Sequence, residues 1–388
     1  MDNVGSLPEG ISIRLPSGSD ADHMYYQITR VLSGLGAFEW CEREPLYLAQ
    51  GRVLRLRLKE RHFTTLMPAH DTLELRQRLT QSTDLGGDDL LLLEVWVALL
   101  GAPVRIDFAD LEELQAHVRI RCNIALAAEK TALAFKTDAA ERPSAFWHDE
   151  PDVGFLLKPQ VSLTDALIAA TQPDITGRLY DFSCYRATEY VILLGIAQET
   201  QNSRPSLYEL LQNTARTRCI KSGLFHEVFL SEYGTADAPI PMNYYVPGDR
   251  VWFKNPDERS SDTPGYEGSW TIYLGGGWFG NFWKRNTPYT LQDKMMEIYH
   301  WRDCAYLDDQ RMLQMDENLV DAKVAATQLN PVRQQQVFTQ MLRYRDLTGI
   351  YREGGCIDSS REFPRELSSI NESLVTGESL VRARAVQT

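Results

Sequence analysis

Cys184 is the residue whose position in the sequence is best suited to chemistry. It follows the extended segment Leu179–Phe182 and precedes Ala187–Gln198, where apolar residues recur at helical spacing. A cysteine in the first turn of a helix faces free backbone N–H groups and the positive end of the helix dipole, so we expect a lowered thiol pKa. The thiolate is a nucleophile, and the N–H groups could hold the oxyanion formed when it attacks an amide. On position alone, a buried cysteine without a chemical role is the commoner explanation.

The other cysteines show no pattern typical of a metal site or a disulfide framework. They are Cys41, Cys122, Cys219, Cys304 and Cys356, with no C-x-x-C pair and no Cys/His cluster at zinc spacing. Six cysteines scattered over 388 residues predict reduced thiols, most of them buried as small apolar groups.

The elements that must position Cys184 are helices and strands in mixed order. Helical patterns cover Met24–Leu35, Leu111–Leu133, Leu291–Trp301, Gln310–Leu329 and Arg333–Leu347. Alternating patterns predict strands at Leu46–Leu58, Arg250–Lys254 and Ser269–Leu274. The apolar segment Leu90–Leu100 is predicted to be buried, as a helix or a strand, and the polar tail from Gly354 is predicted to be loose.

Composition and charge narrow the class of protein. The chain is 43% hydrophobic and 24% charged, as in soluble globular proteins, and its net charge of −13 argues against nucleic acid or an anionic membrane as partner. Leu90–Leu100 is about half the length of a membrane span and contains Glu94, and Met1–Asp20 lacks the apolar core of a secretory signal. We expect a cytoplasmic protein. The alternative is export by a route that uses no signal peptide.

Four parts of the chain between about Val104 and Met295 carry a resemblance to a known family. They are RIRCNIALAAEK at 119–130, GFLLKP at 154–159, LYDFSCYRA at 179–187, and PGDRVWFKNP at 247–256 with GSWTIYLG at 268–275. Together they resemble the protein-glutamine gamma-glutamyltransferases, or transglutaminases, that are associated with bacterial spore coats. The last pair of segments is the most specific part of the resemblance.

The resemblance implies an α+β fold with a papain-like core, in which the helix that bears the nucleophile packs on an antiparallel sheet. It implies that Cys184 attacks a glutamine side-chain amide, releases ammonia and passes the acyl group from the thioester to a lysine amine. With water in place of lysine the product is a deamidated glutamine. The implied partners are protein substrates with an accessible glutamine, and no metal or cofactor is needed.

Three positions that assist the cysteine in that family differ in this chain. Ser183 and Ser269 stand where the family has glutamates, and Asn281 stands where it has a histidine. Glu267 is our candidate for the base, since it lies two positions before Ser269 and such a step along a strand keeps the same face. His226 is a second candidate. Otherwise the helix dipole alone activates the thiol, or the domain is degenerate and only binds.

The predicted domain organisation places the chemistry in the middle of the chain. Residues 1–100 are expected to be an extension of unknown role, 101–300 the catalytic domain, 301–350 a helical C-terminal part and 351–388 a polar tail. The favoured function is linkage of protein glutamine to lysine, or glutamine deamidation. The alternatives are a binding module on a degenerate transglutaminase fold and a related cysteine hydrolase. The layout would also suit a toxin or effector that modifies a protein of a target cell.

Overall fold

Helices and strands follow one another in mixed order in a computed structural model that describes residues 7–15, 20–48, 51–135, 140–220, 222–346 and 355–365. The helices are α1 (Ala21–Gly34), α2 (Glu60–Leu66), α3 (Leu75–Ser82), α4 (Gly87–Leu100), α5 (Leu111–Lys130), α6 (Leu163–Thr171), α7 (Pro173–Thr176), α8 (Cys184–Ser203), α9 (Pro205–Thr217), α10 (Ser222–Phe229), α11 (Glu258–Ser261), α12 (Leu291–Trp301), α13 (Glu317–Gln328) and α14 (Pro331–Met341). The strands are β1 (Ile11–Arg14), β2 (Cys41–Leu48), β3 (Gly51–Leu58), β4 (Ile106–Phe108), β5 (Ala134–Phe135), β6 (Trp147–Glu150), β7 (Gly154–Leu157), β8 (Asp181–Phe182), β9 (Leu230–Tyr233), β10 (Arg250–Lys254), β11 (Gly268–Gly275), β12 (Trp278–Phe279), β13 (Tyr289–Thr290), β14 (Ala305–Leu307), β15 (Leu313–Met315) and β16 (Arg361–Pro364). The predicted mixture of helix and sheet is confirmed.

The four strands between Ile11 and Phe108 form one sheet in the order β2-β3-β1-β4. Ile11 and Ile13 on β1 are fully buried in the same apolar core as the helix α4. The prediction of one strand over Leu46–Leu58 is wrong, because two antiparallel strands, β2 and β3, divide that segment. The segment Leu90–Leu100 is helical and forms most of α4.

Two long helices, α5 and α8, pack closely against each other next to the main sheet. A Cβ atom on Gly195 of α8 would lie 2.9 Å from the backbone nitrogen of Ile124 on α5, so a side chain there would force the helices apart. The predicted helix at Leu111 is confirmed, and the side chain of Asp110 caps it by accepting the N–H of Glu113 at 2.8 Å. α8 also contacts β11, which brings the start of α8 to the main sheet.

The main sheet has six strands in the order β13-β12-β11-β10-β16-β9, and all its neighbouring strands are antiparallel. β10 and β11 confirm the two strands predicted at Arg250 and Ser269. The prediction of a loose tail from Gly354 is wrong for residues 355–365, because β16 lies inside this sheet between β10 and β9. A salt bridge of 2.9 Å joins Arg250 to Glu362 across β10 and β16. Because β10 and β16 are far apart in the sequence, no local pattern predicts that they pair.

The C-terminal helices α12, α13 and α14 pack on one another. The prediction of a helix over Gln310–Leu329 is wrong at its start, because residues 313–315 pair with β14 as the strand β15. α13 begins later, where the Asp316 side chain accepts the N–H of Leu319 at 3.0 Å and caps the helix. The predicted helix from Arg333 is shorter than expected and ends at Met341.

Two further findings concern the cysteines and the apolar character of the helices. The six cysteines, all of them within the described residues, are free thiols. Among the helices that the structure describes, none combines the length and the apolar character that crossing a bilayer requires.

Candidate active site

Cys184 is the first residue of α8, at the point where the strand β8 turns into the helix. Ser183 is the N-cap residue, and its hydroxyl accepts the N–H of Arg186 at 3.3 Å. β8 is held in place by parallel pairing with β5, in the register Ala134 with Asp181. The small hydroxyl residue before the cysteine therefore serves the helix start, as its residue type favours.

Cys184 lies on the wall of a cleft of about 390 Å³. One side of the cleft is formed by β11 with Ser269 and by the loop that carries Asn281. Lys294 on α12 and Val320 on α13 line another part. The site thus lies between the nucleophile-bearing helix, the main sheet and the C-terminal helices.

The thiol of Cys184 is subject to opposing influences. Burial raises its pKa and is the largest effect, while the backbone N–H groups of Trp270 and Tyr185 and the charge of Lys294 lower it. The charge of Glu267 raises it further. The net pKa is above the usual value, so the expectation of a lowered pKa from the helix start alone is wrong, because it left out burial.

Ser269 and Asn281 both line the cleft, as the sequence predicted. Ser269 is buried on β11 opposite Phe253 of β10. The amide of Asn281 is engaged within its own loop: its nitrogen donates to the carbonyl of Thr287 at 3.0 Å, and its oxygen accepts the N–H of Lys284 at 3.2 Å. Asn281 therefore shapes the loop at the edge of the cleft, and neither residue supplies a group that titrates near neutral pH.

Glu267 lies beside the cleft. Its neighbours Tyr266 and Gly268 line the cleft, whereas the Glu267 side chain is exposed and comes just before β11 begins. Its charge nevertheless acts on Cys184. The structure thus brings this carboxylate near the thiol without enclosing it.

His226 is engaged away from the lining of the cleft. Its Nε2 atom is 3.1 Å from the carboxylate of Glu362, which also accepts a hydrogen bond of 2.9 Å from Arg250. The guanidinium of Arg250 in turn lies over the rings of Tyr185 and Trp270, at 4.2 and 4.1 Å from their centroids. The described geometry gives His226 a structural partner and does not place it against Cys184.

Lys294 is a cleft residue that the sequence analysis did not single out. Its side chain is 6% exposed, its Nζ atom donates to Glu297 at 2.7 Å, and it lies 4.3 Å from the ring centroid of Tyr289. Burial lowers the pKa of Lys294, but Glu297 and Tyr289 raise it by more, so the amine is held as an ammonium ion. The sequence feature that could have identified Lys294 is its spacing. It lies three residues after Leu291, on the apolar face of α12.

Within the described ranges, no group of three or more His, Cys, Asp or Glu side chains is arranged to hold a metal ion. The cleft and its surroundings present a thiol, one buried ammonium and several carboxylates.

Comparison with known proteins shows the family of the chain. A model of the family protein-glutamine gamma-glutamyltransferase matches residues 77–336, from within the predicted N-terminal extension to α14. A solved structure, "Transglutaminase from Geobacillus stearothermophilus (without C-terminal extension)", aligns at 20% identity with a TM-score of 0.38, over 55% of this chain and 97% of that chain. No protein of curated function matches the chain. Since the family model covers two-thirds of the 388 residues and includes Cys184, the chain belongs to the protein-glutamine gamma-glutamyltransferase family.

Proposed function

We propose that this protein transfers the γ-glutamyl group of a protein glutamine to an amine or to water through a thioester on Cys184. The observation that carries the proposal is the position of Cys184, which is the first residue of α8, on the wall of the cleft and inside the region that matches the family. The packing of α8 against β11 supports a papain-like core, with the nucleophile-bearing helix on an antiparallel sheet.

In the first step the sulfur of Cys184 attacks the side-chain carbonyl carbon of glutamine. The backbone N–H groups of Tyr185 and Trp270 lower the pKa of Cys184 and so stabilise the thiolate that makes the attack. The carbon–nitrogen bond breaks, and the amide nitrogen leaves as ammonia with the proton that came from the thiol. Glu267 is the candidate carrier of that proton.

In the second step the acyl group leaves Cys184. The nitrogen of a lysine side chain attacks the thioester carbonyl, the carbon–sulfur bond breaks, and the proton released by the amine returns to the sulfur. When water attacks instead, the product is glutamate. The cleft supplies the enclosure for both steps, with Ser269 and Asn281 on its wall.

The test is incorporation of a fluorescent primary amine into a glutamine-rich protein, measured together with ammonia release, for the native chain and for Cys184→Ala. Incorporation that disappears in the variant supports acyl transfer to amines. Ammonia without incorporation, again lost in the variant, supports deamidation. The proposal fails if the native chain gives neither product, or if Cys184→Ala gives as much as the native chain.

A further inference from the structure

Lys294 places a buried positive charge in the cleft that the proposed mechanism does not use. Taking an ammonium ion out of water is costly unless it is paired, and Lys294 is paired with Glu297 at 2.7 Å while its side chain is 6% exposed. It lies on α12, and Cys184 lies on α8 across the same cleft. The fold therefore keeps a buried cation in the same cleft as the thiol.

The other charged groups around the cleft have different partners or positions. Lys284 is exposed and pairs with Asp321 at 3.2 Å, and Glu317 accepts a hydrogen bond of 2.6 Å from Tyr266. Glu267 is exposed beside the cleft. Among the charged side chains that line the described cleft, Lys294 is the buried cation.

Lys294 and Cys184 also act on each other electrostatically. The charge of Lys294 lowers the pKa of Cys184, and the charge of a Cys184 thiolate raises the pKa of Lys294. Such reciprocal stabilisation is expected of an ammonium and a thiolate that share a cavity of reduced polarity. Glu297 opposes it in part, since its negative charge lies beside the ammonium.

We propose that the Lys294 ammonium, held in place by Glu297, stabilises the thiolate of Cys184 and so takes over part of the task that a titratable group at position 183, 269 or 281 would perform. The inference rests on the proposed role of Cys184 as nucleophile. In this arrangement Lys294 moves no proton; it increases the fraction of Cys184 that is ready to attack.

The test measures the rate at which iodoacetamide alkylates Cys184 in the full chain as a function of pH, with the modified peptide quantified by mass spectrometry. For Lys294→Met we expect the rate at pH 7 to fall about tenfold and the midpoint of the profile to move to higher pH, since an opposite charge nearby favours the thiolate. Lys294→Arg should keep the native profile. Lys284→Met is the matched control, because it removes an exposed cation from the same cleft and should leave the midpoint unchanged.

A second variant separates charge from packing. Lys294→Gln keeps a polar side chain of similar length but removes the charge, so we expect it to move the Cys184 midpoint to higher pH, as in Lys294→Met. A packing defect alone would also disturb Lys294→Arg, which keeps the charge and should keep the native midpoint. An unchanged or lower midpoint in folded Lys294→Met overturns the proposal. If Lys294→Met does not fold, Lys294→Gln decides: an unchanged or lower midpoint overturns the proposal, and a higher midpoint supports it.

The two proposals fail in distinguishable ways, because alkylation needs no acyl donor. Loss of the Lys294 effect would leave amine incorporation by the native chain in place. If the native chain gives neither amine incorporation nor ammonia release, the proposed function is refuted. The alkylation profile would still decide whether Lys294 stabilises the thiolate of Cys184.

Discussion

Glu94 on α4 accepts the backbone N–H of Gly276 at 2.7 Å, in the turn that joins β11 to β12. The Glu94 side chain is fully buried, and it also accepts a hydrogen bond of 2.7 Å from Arg76, which donates to the carbonyl of Leu274 at 3.1 Å. A Cβ at Gly275, whose φ is +90°, would lie 2.6 Å from the Glu94 carboxylate. Helices α3 and α4 therefore hold the end of the strand that carries Ser269, and residues 75–100 belong to the scaffold of the site.

Replacing Glu94 should destabilise the protein as a whole. Glu94→Gln leaves Arg76 without its carboxylate and weakens the bond to Gly276, so we expect the free energy of unfolding to fall by about 3 kcal/mol in urea titrations. Glu74→Gln is the matched control, since it removes an exposed partner of Arg78 on α3 and should cost less than about 1 kcal/mol. Equal losses in the two variants would contradict this account.

Glu267 should matter for turnover and not for folding. Its carboxylate is the acid whose charge acts on Cys184, so Glu267→Gln should reduce kcat for amine incorporation about a hundredfold, with the thermal midpoint unchanged because the side chain is exposed. Glu258→Gln, at an exposed acid on α11, should leave kcat unchanged. Native kcat in Glu267→Gln would remove this residue from the mechanism.

Ser269 offers a gain-of-function test. It lines the cleft on β11, at a position where the resemblance described above implies a glutamate, so Ser269→Glu would place a carboxylate in the cleft that contains Cys184. We expect kcat/KM for amine incorporation to rise at least about tenfold, since general base help is worth about two to four decades in rate. Ser269→Gln, which has the same shape without the charge, should give no gain. A folded Ser269→Glu with no more activity than Ser269→Gln would show that a base is not what limits the site.

His117 should make stability depend on pH. It is buried on α5, where its Nε2 accepts a hydrogen bond of 2.6 Å from Arg121, and burial together with the charge of Arg121 lowers its pKa well below 6.5. The unfolded chain takes up a proton at this histidine below about pH 6.5 and the folded chain does not, so its contribution to stability is complete above that pH and is lost as pH falls.

The expected loss from His117 is up to about 1.4 kcal/mol per pH unit below pH 6.5. Urea unfolding between pH 7.5 and about pH 5 measures it. His117→Gln keeps an acceptor for Arg121 and should flatten this part of the profile, even if its stability at pH 7.5 is lower. A profile as steep as that of the native chain would assign the acid sensitivity to other groups.

The parts of the fold that depend on local pattern were predictable. The helix at Leu111, the strand at Arg250 and the helix over Leu291–Trp301 have apolar residues at the spacing of their element, and the structure confirms them. β15 was missed because its residues form a strand only through pairing with β14, and the pattern of the following helix α13 extends over them.

The part of the site that depends on local pattern was predictable too. The position of Cys184 depends on a change from strand to helix that lies within a few residues, so the sequence indicated it. Its pKa depends on burial by β11 and on Lys294, more than a hundred residues away along the chain, and neither could be derived from the residues around it. The amphipathic pattern of α12 does contain Lys294, but only the packed structure shows that it faces the thiol's cleft.

The position of β16 has a consequence for how the chain folds as it is synthesised. Residues 361–364 fill the space between β9 and β10, and Glu362 bonds to Arg250, 112 residues earlier. On the ribosome the edges of β9 and β10 therefore stay unpaired until most of the chain has emerged, and during that time they are open to pairing with other chains. Completion of the sheet depends on closing a very long loop, so its rate should be limited by that late encounter, and chaperones that shield strand edges should raise the yield of native protein.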